Sequence, residues 1–174
     1  MLEFFKPSYI SNIDDALLHS FSLRNTLRDE RTPTILSAPK GTIRSTYLDV
    51  KSGDVSIPGD TTDGYDVLTI GFWLRYKTVK GFNTNSLYTP TDTLWHFWVM
   101  VVTREEDKLR FDCVIDNESA FTLTWDKPRE KASMMLKQLF NKKDVSLAML
   151  RVYTQGMVMS DARTLYGKAQ RVKP

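Results

Sequence analysis

The sequence contains 174 residues, 41% of them hydrophobic and 26% charged, and this composition is typical of one soluble globular domain. The net charge of +3 hides an uneven distribution, because residues 127–174 carry a net charge of +8 and residues 1–126 carry −5. Cys113 is the single cysteine, which excludes an internal disulfide, and two histidines are too few for a zinc finger. The charge distribution therefore favours an anionic partner or head-to-tail self-association.

The N-terminal third predicts one helix, one short strand and a loop. Residues 12–28 place apolar side chains at helical spacing after Ser11, which is a good N-cap residue. Residues 42–50 predict a short strand, and residues 51–64, with three glycines and a proline, predict an exposed loop. Residues 1–10 are expected to form a flexible end.

The central part of the chain predicts an antiparallel β-meander over residues 67–125. Apolar and polar residues alternate in residues 67–77 and 109–115, as expected of strands with one buried face. Residues 94–103 are apolar on both faces, which is typical of a central strand covered on two sides. Short polar segments, such as residues 105–108, separate these runs and predict hairpin turns.

A second helix and a last strand complete the predicted fold. Residues 128–140 carry an apolar stripe at helical spacing, and residues 145–154 alternate as a strand. Residues 161–174 are polar and basic and are expected to form a second flexible end. The pattern predicts a single α+β domain, residues 1–174, in which an antiparallel sheet or sandwich-like core carries the helices at 12–28 and 128–140.

Residues that could carry catalysis or bind a metal are sparse. His19 and His96 lie far apart in the sequence, and each is interpreted as a packed or hydrogen-bonded imidazole. Cys113 occupies an apolar strand position, so we expect a buried and unreactive thiol. The aspartates between residues 54 and 66 lack the spacing of a calcium loop. The sequence therefore predicts a non-enzymatic protein with no cofactor and no metal, with a small enzyme of unrecognised type as a remote alternative.

The basic residues of the C-terminal third form the predicted binding surface. They come from the second predicted helix, the turn after it, the last strand and the terminal segment. The predicted set is Lys127, Arg129, Lys131, Lys137, Lys142, Lys143, Arg151, Arg163, Lys168, Arg171 and Lys173. At an anionic membrane each group would contribute on the order of 1 kcal/mol, and with RNA the same groups would act by counterion release.

A methionine-rich segment near the C-terminus is the predicted self-association site. It consists of Met157, Val158 and Met159. Methionine side chains are flexible and polarisable, so they suit an adaptable contact surface. The expected contact pairs an acidic surface of one copy with a basic surface of another.

The order of these features resembles a family of viral proteins. An aromatic-rich antiparallel sheet leads through Asp116-Asn117-Glu118-Ser119 into a strand that ends at Trp125-Asp126, and a helix and a basic, methionine-rich segment follow. From about residue 67 onwards the chain is similar to matrix proteins of negative-strand RNA viruses, most of all those of plant rhabdoviruses (cytorhabdoviruses). The chain departs from the animal rhabdovirus pattern because it lacks a lysine-rich N-terminal arm and a Pro-Pro-x-Tyr motif.

The resemblance implies a matrix-like assembly protein that lies under the viral envelope. Its implied partners are the viral nucleocapsid or RNA, an anionic membrane surface contacted peripherally, and further copies of itself. Its implied location is the virion and the host cytoplasm. The alternative is a viral RNA-binding protein such as an RNA-silencing suppressor, in which Trp73 or Trp98 would stack on bases. Apolar residues on both faces of the strand at 94–103 favour core packing for most of the aromatic side chains.

Overall fold

The structure is a computed structural model that describes residues 13–58, 62, 64–82, 88–126, 136, 140 and 142–174. Within these residues the chain forms an eight-stranded antiparallel sheet and a C-terminal α-helix. The strands are β1 (Leu17–Phe21), β2 (Gly41–Ile43), β3 (Leu48–Val50), β4 (Val67–Tyr76), β5 (His96–Arg104), β6 (Leu109–Ile115), β7 (Glu118–Trp125) and β8 (Val145–Tyr153), and the helix is α1 (Met159–Gln170). Short 3-10 helices lie at Ile13–Ala16 and Lys51–Gly53.

The sheet is organised around β8. The strand order is β2-β3-β8-β4-β5-β6-β7, and β1 also pairs with β8. β3 pairs with the first part of β8, where Val50 lies opposite Val145, and β1 pairs with the last part, where Leu17 lies opposite Tyr153. One edge of β8 is therefore divided between two strands, and β4 pairs along the other edge.

The two faces of the sheet carry separate hydrophobic cores. On one face Phe72 and Trp98 belong to the larger core, which includes residues of most of the strands. On the opposite face Trp73 and Phe97 pack with Leu165 of α1 in a second core. β4 is buried on both faces as a result, since Phe72 and Trp73 are both 0% exposed. Removal of these apolar side chains from water is the main force that stabilises the sheet.

The predicted β-meander is confirmed. β4, β5, β6 and β7 follow one another as antiparallel neighbours, and the predicted strand at 145–154 corresponds to β8. Cys113 is a buried free thiol, and burial raises its pKa to about 12. The α+β class is confirmed, since the described residues form a mostly antiparallel sheet with a helix, but the helix does not lie where the sequence predicts it.

The predicted N-terminal helix at 12–28 is wrong. The described part of this segment forms a 3-10 helix, β1 and an irregular loop. His19, Ser20 and Phe21 are buried in succession because β1 pairs with β8 and Phe21 is also bridged to Asp29. A strand that is buried on both faces shows no alternation of polar and apolar residues, so periodicity alone does not separate it from a buried helix.

The sequence predicts no regular element after residue 160, but α1 lies there. Its buried residues Ala162, Leu165 and Ala169 follow helical spacing. Two of the three are alanines, so the apolar stripe is weak and the polar surroundings dominate the sequence pattern. Within the described residues, no helix is both long and apolar enough to cross a membrane.

Two other predicted elements differ from the structure. The predicted strand at 42–50 is a hairpin of β2 and β3, in which Ile43 lies opposite Leu48. The predicted helix at 128–140 lies outside the described residues, except for Leu136 and Phe140. Both of these side chains are buried in the larger core.

Candidate functional site

The strand register brings polar and aromatic side chains together on the α1 face of the sheet, near the end of β4. Ser146 of β8 lies opposite Asp49 of β3 on one side and Arg75 of β4 on the other. Because side chains alternate along a strand, these three residues share one face. Trp95 directly precedes β5, the other neighbour of β4, and Tyr47 directly precedes β3. Both rings are partly buried against the second core.

The Arg75 guanidinium lies over two aromatic rings. Its Cζ atom is 4.8 Å from the centroid of the Trp95 indole and 5.3 Å from the centroid of the Tyr47 ring, within cation–π distance. The two rings meet edge to face, with 5.6 Å between their centroids. Arg75 Nη2 also donates a hydrogen bond to Ser146 Oγ at 3.3 Å. We call Tyr47, Arg75 and Trp95 the aromatic–arginine cluster; all three are partly exposed.

Asp49 is the carboxylate beside this cluster, and other groups already engage its oxygens. Oδ1 accepts a hydrogen bond from Ser146 Oγ at 2.7 Å and lies 2.6 Å from Lys77 Nζ, while Oδ2 lies 3.2 Å from Arg44 Nε. Partial burial opposes ionisation, but these hydrogen bonds hold the pKa of Asp49 below its ordinary value. Asp49 is therefore ionised at neutral pH, and Lys77 and Arg44 neutralise it.

His96 fixes the loop that carries Trp95. Its Nε2 atom lies 2.7 Å from Asp92 Oδ1 in that loop, and its Nδ1 atom contacts Asp116 Oδ2 in the turn between β6 and β7. Partial burial opposes the charge on the imidazole, but the hydrogen bonds to Asp116 and Asp92 raise the pKa of His96 above its ordinary value. A protonated imidazole donates from both nitrogens, so it ties the loop to the turn.

We expect His96 to make the fold less stable as pH rises. Because its pKa is raised in the folded protein, its contribution is complete below the unfolded-state pKa of about 6.5 and is lost as pH rises through the folded-state pKa. An NMR titration of the imidazole measures this pKa directly. The charged groups that contact the imidazole are Asp92 and Asp116. Burial, as the larger cause, and the same two carboxylates raise the pKa of Tyr88.

The control for this titration is the Asp92→Asn variant. It removes one carboxylate from the imidazole, so the pKa of His96 should fall relative to the wild-type value. A wild-type pKa at or below about 6.5 would contradict the prediction, since the two carboxylates would then do no more than offset the effect of burial.

The other histidine is an internal structural group. His19 Nδ1 lies 2.7 Å from Asp29 Oδ2, and both side chains are 0% exposed. Asp29 also accepts hydrogen bonds from the backbone N–H groups of Ser20 and Arg31, at 2.8 and 3.1 Å. This confirms His19 as a hydrogen-bonded imidazole, and its complete burial keeps substrate away from it. Within the described residues, no group of His, Cys, Asp and Glu side chains has the arrangement of a metal site.

A groove of 320 Å³ lies on the same face of the sheet, beside the start of α1. Its polar residues engage one another: Arg110 Nε lies 3.2 Å from a carboxylate oxygen of Asp112, and Thr122 Oγ1 donates to Asp112 at 2.7 Å. Its apolar lining includes Val99, Val101, Val114, Met157, Val158 and Met159. The groove therefore offers an apolar surface but no fixed, unpaired cation.

The basic residues predicted from the C-terminal third lie on several separate elements. Four of them, Lys127, Arg129, Lys131 and Lys137, lie outside the described residues. The others occupy the turn before β8, β8 itself, α1 and the segment after it: Lys142, Lys143, Arg151, Arg163, Lys168, Arg171 and Lys173. Their role in binding an anion stays a prediction.

Several of these basic side chains have contacts within the fold, among them Arg151, which interacts with the hydroxyl group of Tyr153. Lys143 Nζ donates a hydrogen bond to the carbonyl oxygen of Gly81 at 2.7 Å. Lys173 Nζ lies 5.6 Å from the centroid of the Trp73 ring, and Lys168 Nζ lies 3.8 Å from a carboxylate oxygen of Asp14. Their positive charges therefore contribute to local packing as well as to the surface potential.

The segment predicted to mediate self-association is partly internal. Met157 is 4% exposed and packs in the second core, whereas Met159 is 38% exposed. Val158 is partly buried between them. Met157 therefore stabilises the second core, and the role of this segment in self-association stays a prediction.

Sequence reasoning missed the aromatic–arginine cluster. The alternation in residues 67–77 predicts that Arg75 faces away from the larger apolar set of that strand, and the apolar run at 94–103, which includes Trp95, predicts core packing. One signal was present: Arg75 is a single basic residue inside a strand that is otherwise buried on both faces. A charged side chain in such a strand is retained only where it has partners or a function.

The comparisons with known proteins identify a fold. No protein-family model and no curated protein matches the sequence. The structure is similar to the receptor-binding domain of the botulinum neurotoxin C/D mosaic serotype, with a TM-score of 0.58 and 8% identity over 90% of this chain and 52% of that one. It is also similar to the serotype D ligand-binding domain in complex with N-acetylneuraminic acid, with a TM-score of 0.58 and 11% identity over 90% and 52% of the two chains.

A third similar structure is that of botulinum neurotoxin type C, whose cell entry depends on interaction with two ganglioside molecules. The TM-score is 0.53 and the identity 12%, over 91% of this chain and 53% of that one. The chain thus spans about half the length of the structures that it matches. Likeness at this level of identity shows that the chain shares the fold of part of these binding domains.

These neighbours overturn the predicted matrix function. The expected partners were nucleocapsid, RNA, an anionic membrane and further copies of the chain, but the neighbours are toxin binding domains whose partners are gangliosides and N-acetylneuraminic acid. The prediction of a matrix assembly protein, and of an RNA-binding alternative, is therefore wrong. It relied on the uneven charge and on a resemblance in element order, and net charge carries no information about fold. The resemblance to rhabdovirus matrix proteins stays a prediction. The conclusion of the comparison is that this chain has the fold of part of a toxin receptor-binding domain.

Proposed function

We propose that this chain is a receptor-recognition module that binds carbohydrate through the aromatic–arginine cluster. The observation that carries the proposal is the pair of partly exposed rings, Tyr47 and Trp95, held beside a fixed hydrogen-bond donor, Arg75. The fold supports it, because the similar structures are receptor-binding domains. Function still has to be argued from the site, since one fold hosts many functions.

The chemistry of the cluster suits a sugar ring. A pyranose presents C–H groups on its faces and hydroxyl groups around its edge, so it needs an apolar platform next to polar side chains. Trp95 and Tyr47 supply rigid aromatic surface, which loses little conformational entropy on binding. Arg75 offers free N–H donors to the hydroxyl groups of the sugar, and the ammonium group of Lys77, paired with Asp49, is a second donor beside it.

The surroundings hold these side chains in place. Ser146 links Asp49 to Arg75 through two hydrogen bonds, and His96 ties down the loop from which Trp95 projects. Side chains that are fixed before the ligand arrives lose less freedom on binding, which increases affinity. The cluster is therefore a prearranged site on a rigid sheet.

The first test is the Trp95→Ala variant. We expect its affinity for a sugar identified on a glycan array to fall about tenfold or more, which corresponds to about 1.4 kcal/mol of lost stacking and cation–π interaction. Isothermal titration calorimetry with the wild type and the variant measures the change. Circular dichroism should show the same folded state for both proteins, because Trp95 is only partly buried.

The matched control is Tyr65→Ala. Tyr65 is an aromatic residue that is 38% exposed, and it lies before the opposite end of β4. Its replacement should leave sugar binding unchanged. Equal affinity of wild type and Trp95→Ala would place the binding site elsewhere, and no binding to any glycan would refute the proposed function.

A protein receptor is the second candidate ligand. Leu94 is 65% exposed beside Trp95, and exposed apolar, aromatic and arginine side chains together are typical of protein-binding hot spots. A Leu94→Ala variant separates the two ligand classes. It should weaken binding to a protein receptor and leave binding to a free sugar unchanged, because a sugar stacked on Trp95 does not require the Leu94 side chain.

A further inference from the structure

Arg75 carries a positive charge that no described carboxylate neutralises. Its guanidinium group has five N–H donors, and the hydrogen bond to Ser146 Oγ uses one of them. Within the described residues, no carboxylate oxygen lies within 4.0 Å of the Arg75 nitrogens. The contacts with Trp95 and Tyr47 orient the group but leave donors available to a ligand.

The carboxylates on the elements around Arg75 pair with other groups. Asp49 is held by Lys77 and Arg44, at 2.6 and 3.2 Å. Asp92 and Asp116 both bind His96. His96 is the first residue of β5 and directly follows Trp95, so the two side chains lie on opposite faces of the sheet. Among the described residues, the side chains around Arg75 therefore include three cations, Arg44, Arg75 and Lys77, and two carboxylates, Asp49 and Asp144. Asp144 lies opposite Lys77 and accepts a hydrogen bond from the backbone N–H of Ser52, so Arg75 is the cation of this group that pairs with neither carboxylate.

From this imbalance we infer that the cluster binds an acidic sugar, whose carboxylate pairs with Arg75. The inference rests on the proposed carbohydrate-binding function and names the class of sugar. The planar guanidinium group matches a carboxylate in a two-point hydrogen-bonded arrangement, which an ammonium group does not reproduce. The sugar ring then lies against Trp95 or Tyr47, and its hydroxyl groups face Lys77.

Partial burial strengthens this pairing. Arg75 is partly covered by the two rings, so a carboxylate at this position meets less competing water than it would beside a fully exposed arginine. The guanidinium group is also oriented in advance, which reduces the entropy lost when the hydrogen bonds form. An exposed arginine without these neighbours, such as Arg163 on α1, has neither advantage.

The experiment compares an acidic sugar with its neutral counterpart. The probes are the methyl α-glycoside of N-acetylneuraminic acid and the same glycoside with its carboxylate reduced to an alcohol, titrated into the full chain and followed by protein NMR chemical shifts. We expect the wild type to bind the acidic glycoside at least about tenfold more tightly. Arg75→Gln should abolish this preference. Arg75→Lys should retain only part of it, because the ammonium group keeps the positive charge but lacks the planar arrangement of donors.

Arg163→Gln is the matched control, because it removes the same charge from an exposed position on α1. It should keep the preference for the acidic glycoside, and thermal unfolding checks that all variants fold. Equal binding of the two glycosides, or a preference that survives in Arg75→Gln, would overturn the inference while the proposed function stands. If neither glycoside nor any neutral sugar binds the wild type, the proposed function fails together with the inference.

Discussion

Replacing Asp29 with alanine is expected to lower the free energy of unfolding by about 3–5 kcal/mol, because it leaves several buried polar groups without a partner. In the folded protein the carboxylate accepts hydrogen bonds from the backbone N–H groups of Ser20 and Arg31 and contacts His19 and Thr32. The side chains of Asp29 and His19 are both 0% exposed, so water does not replace the lost bonds. Chemical denaturation of wild type and variant measures the difference.

Acid pH gives an independent check on Asp29. Burial opposes its ionisation, but the hydrogen bonds from His19, Thr32 and the backbone hold its pKa below the ordinary value. Its contribution is therefore present above the unfolded-state pKa of about 3.9 and is lost as pH falls through the folded-state pKa. The stability difference between wild type and Asp29→Asn, which retains the shape of the side chain, should shrink as pH falls through this range.

Asp107→Ala is the control for the same chemical change at the surface. Asp107 is exposed in the turn between β5 and β6, so its replacement should alter stability by no more than about 0.5 kcal/mol. If Asp29→Ala and Asp107→Ala lowered the free energy of unfolding by the same amount, the prediction would be wrong, because the buried hydrogen bonds of Asp29 would then contribute little to stability.

The central sheet could be predicted because its chemistry is local. In β4 and β6 the alternation of apolar and polar residues matches the period of a strand, and polar turn residues separate the strands. The turn at Asp116-Asn117 is an example, since both residues adopt positive φ angles that suit a tight hairpin. The alternation of a strand and the residues of a turn are both visible within a few consecutive positions, so a single sequence is enough to detect them.

The termini could not be predicted because tertiary contacts determine their structure. β1 forms because it pairs with an edge of β8, a strand that lies more than a hundred residues away in the sequence. α1 covers the second core with Ala162, Leu165 and Ala169. Two of these side chains are small, so the sequence of α1 is mainly polar and shows only a weak helical pattern of apolar residues. Local propensity is a weak signal where long-range pairing or packing supplies most of the stability.

The candidate site depends on register in the same way. Asp49, Ser146 and Arg75 are far apart in sequence and become neighbours only through the pairing of β3, β8 and β4. A charge count cannot detect such a group, because it adds residues without regard to position. The basic C-terminal third drew attention to residues such as Lys143 and Lys173, whose contacts with Gly81 and Trp73 lie within the fold.

The second large effect is expected at the centre of the main core, where Trp98→Ala should lower the free energy of unfolding by about 3–5 kcal/mol. Trp98 is 1% exposed, stacks on Phe72 with 6.0 Å between ring centroids, and meets Tyr88 and Phe121 edge to face. Alanine would leave a cavity that these neighbouring rings cannot fill. Because a domain of this size is stable by only about 5–15 kcal/mol, the variant could lose much of its folded population.

Two further variants make this prediction decisive. Trp98→Phe keeps an aromatic ring, so it should fold with a smaller loss of stability than Trp98→Ala. Trp95→Ala removes the same side chain from the partly exposed aromatic–arginine cluster, so it should cost far less stability while it weakens sugar binding. The two tryptophans would then separate the core from the binding site: unfolding measurements should single out Trp98, and binding measurements should single out Trp95. Equal losses of stability at both positions would contradict this division.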